Sequence, residues 1–234
     1  MLKARSAGDP QPDLTSMVVT HRAIREDLDR LAALLGEIAG HDLPPRRARA
    51  IGCFTRALLA EICAHHQDED DIVWPLIAAT AGQAVDLAPL TDDHRAIEAA
   101  VGRVSRALAS LRVDPDTPAE LRVSISDLRD MVADHMADEE QQIFPAMRRY
   151  LSAGAYRWCE QQIRERASRS ALRFTVPWLA RHAQPDELPR LLAARGWPAR
   201  IVLVATRPGY ARLERRAFGP SSITHFHHNE EEER

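Results

Sequence analysis

The sequence has few cysteines, no excess of charge of either sign and no long apolar run. Its three cysteines form neither an even disulfide framework nor a closely spaced pair, which favours a reducing compartment and predicts a cytoplasmic protein. The 34 acidic and 31 basic residues nearly cancel, so a nucleic-acid partner is not expected. No stretch approaches the roughly 20 apolar residues of a membrane span, and the first residues lack the apolar core of a signal sequence. We therefore expect no membrane association either.

Glycine and proline are concentrated at three points, 41–45, 80–82 and 113–118. These points divide residues 13–151 into four long stretches with the apolar spacing of three and four that is typical of an amphipathic helix. Four such helices joined by short turns predict an all-α protein built on an up-down-up-down four-helix bundle.

Each of the four predicted helices carries a histidine within its apolar stripe. The second and fourth helices also carry a glutamate four residues after the histidine, which places the two side chains on the same helix face. The buried polar residues predicted in this way are His21, His65, Glu69, His94, His135 and Glu139.

The chain also repeats itself. His-Arg-Ala-Ile occurs at 21–24 and again at 94–97. A longer pattern, His-x-x-Asp-Glu and a further acid, then a branched aliphatic residue, an aromatic residue and proline, occurs at 65–75 and at 135–145. The bundle is therefore predicted to be two copies of one helical hairpin.

The spacing of the histidines predicts that they lie at one level of the bundle. Two residues of an antiparallel hairpin face each other when the turn lies midway between them. The midpoints of the three consecutive histidine pairs fall at or beside residues 43, 80 and 115, each on a predicted turn. The four imidazoles and two carboxylates should consequently converge.

A metal site is the interpretation that best fits this convergence. A single core histidine is usually a structural residue, and one His-x-x-x-Glu pair is often a solvated pair on a helix surface. Burying six such groups without a metal, however, costs several kcal/mol. Mixed nitrogen and oxygen ligands suit iron or manganese better than a thiolate zinc site, although zinc remains an alternative.

The pattern His, His-x-x-x-Glu, His, His-x-x-x-Glu resembles the hemerythrin-like, or HHE cation-binding, family over about residues 13–150. The resemblance implies a bundle with an oxo- or hydroxo-bridged di-iron centre that binds dioxygen, peroxide or nitric oxide. It further implies that His21 and His65 serve one iron and that His94 and His135 serve the other. The glutamates that would bridge the two irons are Glu69 and Glu139.

The sequence departs from oxygen-carrying hemerythrins one turn after His94. Those proteins have a fifth histidine at this position, which here is Glu98. Glu98 is either a further oxygen ligand or leaves its coordination position to water, and an anionic ligand would favour peroxide or redox chemistry over reversible oxygen carriage. His66 is interpreted as lying outside the ligand set, because the repeat aligns it with Met136.

Residues 152–220 are predicted to form a helical extension packed on the bundle, and 221–234 a disordered tail. The segment 197–206 is rich in β-favouring residues, but the helical pattern after it favours helix. The extension would cover the metal site, form a homodimer or dock a partner; the sequence does not choose among these roles. Neither an enzyme class nor a catalytic residue is predicted, so a non-enzymatic iron-binding or oxygen-sensing module remains the alternative function.

Overall fold

The fold is all-α, a four-helix bundle followed by helices that pack on it, as the sequence predicts. The turn expected around residues 113–116 and the tail expected at 221–234 lie outside the described residues. The computed structural model describes residues 4–6, 8–39, 41, 43–110, 117–168, 170–196 and 198–219.

Proline and glycine set several helix boundaries in the bundle. Pro45 occupies the first position of α2, where its missing N–H costs no hydrogen bond. Gly82, at a φ of 58°, ends α3 in a backbone conformation that side chains with a Cβ rarely adopt. The bundle helices are α1 (Thr15–Ile38), α2 (Pro45–Asp68), α3 (Trp74–Ala81), α4 (Ala88–Ser110) and α5 (Thr117–Tyr150).

The second predicted helix runs through α2 and α3 with a π-helical turn, Glu69–Val73, between them. At this turn the Trp74 N–H donates to the carbonyl oxygen of Glu69, five residues earlier. Pro75 follows and has no N–H to continue the ladder, which favours the local widening. The equivalent Pro145 is accommodated inside the continuous helix α5.

The bundle core consists of two apolar clusters separated by a polar layer. One cluster extends from Val19 along α1, and the other includes Leu14 and Met17 at the start of the same helix. Along α5, Met136 belongs to the first cluster and Ile143 to the second. The predicted ligand Glu139 lies in sequence between these two residues, and both it and His21 of α1 are fully buried.

Four further helices follow in the described residues; three of them pack on α1 or α2, and the first contacts the π-helical turn. Phe54 of α2 contacts the rings of Phe174 and Phe218, with centroids 5.5 and 4.9 Å apart. Helix α9 includes residues 198–206, so tertiary packing and helical context override the β propensity of that segment. The helices are α6 (Ala153–Arg166), α7 (Leu172–His182), α8 (Glu187–Ala194) and α9 (Pro198–Phe218).

A buried polar network also joins the extension to the bundle. Asp27 of α1 is inaccessible to solvent and accepts a hydrogen bond of 2.8 Å from the Trp178 indole N–H. Its carboxylate also lies 3.1 Å from Nε2 of His182 and pairs with Arg30. The other ring nitrogen of His182 lies 2.7 Å from Glu26. The imidazole thus spans two carboxylates, and α7 is fixed to α1 by charge as well as by packing.

Candidate metal centre

The structure brings four histidines and two glutamates together in the polar layer of the bundle. Five of the six are at least 95 % buried, and the side chain of His65 is 11 % exposed. Apolar residues lie above and below them, so water has little access to the layer. The residues brought together are His21, His65, Glu69, His94, His135 and Glu139.

Glu69 lies between the two halves of the repeat. Its Oε1 lies 3.2 Å from Nε2 of His65 on the same helix, and its Oε2 lies 3.5 Å from Nε2 of His94. The two oxygens of this carboxylate therefore lie next to two different histidines. This arrangement suits a carboxylate that bridges two metal ions.

Glu139 has the corresponding position in the second half. Its Oε2 lies 3.3 Å from Nε2 of His21 and 4.0 Å from Nε2 of His135 on its own helix. Each glutamate thus reaches the histidine of its own helix and one from the other hairpin. The internal repeat of the sequence has become an approximate twofold arrangement of ligands.

His66 is the residue that sequence reasoning placed outside the site and that the structure places inside it. It is 5 % exposed, and its ring stacks on His94 with centroids 4.5 Å apart. It also meets His135 edge-on at 5.0 Å. The alignment with Met136 contained the missed signal, since Met136 is fully buried and an imidazole at the equivalent position should be buried too.

Glu98, the other departure from the expected pattern, does not join the cluster. Its side chain is exposed on α4, which turns His94, Ile97 and Val101 inward instead. The ring that lies against His94 is that of His66, from α2. The alternative in which Glu98 is a further oxygen ligand is therefore not supported by its position, and a fifth buried imidazole, that of His66, comes from another helix.

The grouped side chains form two overlapping sets. Within each set, the potential ligand atoms all lie within 4.8 Å of one another. Both sets contain Glu69, so two metal ions bound in them would share that carboxylate. The Nε2 atoms of His94 and His135 are 3.1 Å apart, as expected for two imidazoles facing one ion. One set is His21, His65, Glu69 and Glu139, and the other is His66, Glu69, His94 and His135.

Many polar atoms in this layer have no hydrogen-bond partner. Both carboxylate oxygens of Glu69 and of Glu139 are buried and have no hydrogen-bond partner. The same is true of Nε2 of His21, His65 and His66. Buried polar atoms are almost always paired, and unpaired ones are costly. Because these atoms point to a common region, a cation bound among them would relieve the cost, and the donor set fits a metal.

The protonation tendencies of His65, His66 and Glu69 agree with this fit. Burial, reinforced by the neighbouring histidines, keeps the pKa of His65 and of His66 well below the usual value, so both rings are neutral and have a free lone pair. Burial and the nearby carboxylate of Glu139 raise the pKa of Glu69 well above its usual value. A metal cation would offset the same repulsion and keep the carboxylate ionised.

A second carboxylate orients the first-helix histidine of each half. Nδ1 of His21 lies 2.9 Å from Glu140, and that carboxylate also accepts a hydrogen bond from Arg25. Nδ1 of His94 lies 3.0 Å from Asp70. Glu140 and Asp70 each directly follow a potential bridging glutamate. The hydrogen bond from His21 to Glu140 uses Nδ1 and leaves Nε2 facing the site.

The aromatic residues of the repeat also cross between the halves. Trp74 stacks on His94, with ring centroids 6.0 Å apart and planes 14° apart. Phe144 packs on His21 at 5.3 Å. Each of these contacts limits the orientations that the imidazole can adopt.

A cavity of about 1080 Å³ lies between the bundle and the extension and reaches the site. His65 and Glu69 form part of its wall on the bundle side. Tyr156 of α6 and Trp178 of α7 form part of the wall on the extension side. We call this space the extension cavity.

The fold and the buried donor set define a helical-bundle metal protein, and comparison with known proteins specifies the family. Residues 13–147 match the family model of the hemerythrin HHE cation-binding domain. The match covers more than half of the chain, which therefore belongs to this family. No curated protein and no solved structure matches the chain. Within the described residues, no helix is long and apolar enough to cross a membrane.

Proposed function

We propose that the protein is a non-heme di-iron protein that binds or reacts with dioxygen, hydrogen peroxide or nitric oxide. The observation that carries the proposal is the sharing of Glu69 between two sets of buried, unpartnered ligand atoms. A shared carboxylate between two imidazole-rich sets is suited to a pair of ions. Imidazole and carboxylate without thiolate favour iron, with manganese and zinc as the alternatives.

The proposed ligands divide unequally between the two ions. One ion is held by two histidines, one from α1 and one from α2, and the other by three, with both glutamates available between them. The set with two histidines would leave more coordination positions for an exogenous ligand. The proposed sets are His21 and His65 for one ion, His66, His94 and His135 for the other, and Glu69 and Glu139 as bridges.

A bound pair of irons would supply electrons and open coordination positions for a small oxidant. The chain itself fixes the imidazoles, excludes bulk water and holds protons away from the ligand atoms. Glu140 and Asp70 face Nδ1 of His21 and of His94. Trp74 and Phe144 cover those rings, so ligand geometry is set before an oxidant arrives.

Metal content and reactivity test the proposal together. Purified protein loaded with ferrous iron should contain two irons per chain and develop near-ultraviolet absorption on exposure to oxygen or peroxide. Glu69→Ala should lose most of the metal, whereas Glu37→Ala, at an exposed position on α1, should retain it. A well-folded protein that binds no metal would refute the site.

Turnover distinguishes an enzyme from a binding protein. Catalase-like activity converts two molecules of hydrogen peroxide into one of dioxygen and two of water, and an oxygen electrode measures it directly. Oxygen release that depends on iron and is lost in Glu69→Ala would establish the activity. Its absence would favour the second candidate.

The second candidate is a non-enzymatic iron or oxygen sensor that is read through the extension. Tyr156 of α6 lines the same cavity as His65 and Glu69, so the extension faces the metal layer across this space. Metal binding or oxidation should then alter protease cleavage after residue 152. We also propose a cytoplasmic location, since the three cysteines are free.

A further inference from the structure

The metal layer is not equally enclosed on all sides. Apolar clusters of the bundle lie above and below it, so a small molecule must reach the layer from the side. The side chains of His21 and Glu139 are 0 % exposed, and that of His94 is 4 % exposed. The side chain of His65 is 11 % exposed. The layer is therefore closest to open at His65.

The open side of the layer faces the extension cavity. His65 and Glu69 line this cavity at the layer, whereas Ala64 and Ala171 line it and are also exposed to solvent. The space therefore connects the solvent with the edge of the metal layer. Its volume of about 1080 Å³ far exceeds the roughly 30 Å³ that one water molecule occupies in the liquid, so it is wide enough for dioxygen, peroxide or nitric oxide.

Apolar side chains from both layers line the passage. Met17 and Val73 belong to the bundle, and both are part of its second apolar cluster. Ile163, Val176 and Val202 line the opposite wall from three helices of the extension. An uncharged molecule passes such walls without the desolvation cost that an ion pays.

The last step to the ligand atoms requires a side chain to move. Nε2 of His65 and both carboxylate oxygens of Glu69 are inaccessible to solvent, so the open space ends short of them. Met17 lines the cavity four residues before His21 and therefore lies on the same face of α1. A methionine side chain has three rotatable bonds and adapts readily to its surroundings. At this point the wall includes a side chain that can move aside while the helices stay in place.

We propose that the extension cavity is the entrance through which dioxygen, hydrogen peroxide or nitric oxide reaches the metal layer, and that the ligand arrives at the set containing His21 and His65. The inference rests on the proposed function and adds a route and a side of arrival to it. The entrance meets the set with two histidines, which leaves more coordination positions. The extension, which lies outside the family match, forms one wall of this entrance.

Chemical modification of the metal-free full chain tests the route without any bound ion. Diethyl pyrocarbonate acylates accessible imidazoles, and tandem mass spectrometry resolves the rate at each histidine, with the exposed His41 as internal standard. His65 should react faster than His94 or His135. Ala64→Phe and Ala171→Phe, at exposed positions on the cavity wall, should each slow the reaction at His65 and leave His41 unchanged. Ala99→Phe, at an exposed position on α4 outside the cavity wall, is the matched control and should change neither rate.

Stopped-flow binding of nitric oxide to the ferrous-loaded full chain distinguishes an entrance from a ligand site. An obstruction in an entrance raises the barrier to entry and to exit equally. The association and dissociation rate constants of Ala64→Phe should therefore fall together, about tenfold for each 1.4 kcal/mol or so of added barrier, and Kd should not change. Ala99→Phe should bind nitric oxide at the parent rate.

The two measurements separate failure of the entrance from failure of the proposed function. Modification of His94 as fast as His65, or a rate at His65 unchanged in both cavity variants, would overturn the entrance. A change in Kd with an unchanged association rate constant would also overturn it. If the loaded parent binds no nitric oxide, the proposed function loses its support, and the modification rates of the metal-free chain still decide whether the cavity leads to His65. Circular dichroism of each variant verifies that the helices are intact.

Discussion

Replacement of Asp27 should detach the extension from the bundle. The carboxylate is fully buried, joins α1 to α7 through Trp178 and His182, and pairs with Arg30 of its own helix. In Asp27→Ala the imidazole and the indole N–H would stay buried with a partner removed, which costs about 3–5 kcal/mol. At roughly 2–4 °C per kcal/mol for a protein of this size, Tm should fall by roughly 6–20 °C.

Differential scanning calorimetry measures this effect, and Asp29→Ala supplies the control. Asp29 is 68 % exposed and lies 3.8 Å from Arg129, so its loss should cost less than about 1 kcal/mol. Limited proteolysis should show earlier cleavage between α6 and α7 in Asp27→Ala alone. A Tm for Asp27→Ala within about 3 °C of the parent would refute the assignment of this network as the main attachment.

The same network should give the protein a pH-dependent stability. Burial lowers the pKa of His182, but Asp27 and Glu26 outweigh burial and raise it above the usual value. A raised folded-state pKa stabilises the fold fully below the unfolded-state value, about 6.5, and the stability is lost as pH rises through the folded-state value. Asp27→Ala should flatten this decline in urea unfolding curves.

Three further predictions concern the metal layer. His66→Ala should reduce iron from two per chain toward one, whereas Glu98→Ala should leave both, as measured by elemental analysis; the opposite result would restore the expectation from the sequence. Glu140→Ala, which releases Nδ1 of His21, should lower metal affinity about 10–100-fold in a chelator competition, while Asp138→Ala, at an exposed position nearby, should not. Removal of metal by a chelator should lower the Tm of the parent protein, and the decrease should be larger the more tightly the metal is bound. An unchanged Tm would show that the layer holds no tightly bound ion.

The sequence predicts the bundle and the level of the site because both depend on simple periodicities. Apolar spacing identifies buried helix faces, and turn midpoints place four histidines at one level. His66 and Glu98 could not be assigned in this way. His66 follows His65 directly, about 100° further around the helix, so its inward position depends on how α2 faces its neighbours. Which ring stacks on His94 is a property of packing between helices.

The docking of the extension was still less accessible to sequence reasoning. Asp27 and His182 are 155 residues apart, and neither lies in a sequence motif that predicts their contact. The segment 198–206 shows the same limit, because its β-favouring residues lie in a helix that packs through other positions, such as Tyr210. Long-range pairs and context-dependent helices follow from the assembled layers and not from local pattern.

The crossing contacts make each hairpin depend on the other to complete the site. Glu69 reaches His94, Glu139 reaches His21, and the orienting acids and aromatic residues cross in the same direction. One hairpin alone would therefore hold an incomplete, unoriented half-site, whereas two identical hairpins related by a twofold axis would complete each other. The single chain has the layout that a symmetric dimer of one hairpin would have, and His66, which aligns with Met136, is a position where its two halves differ.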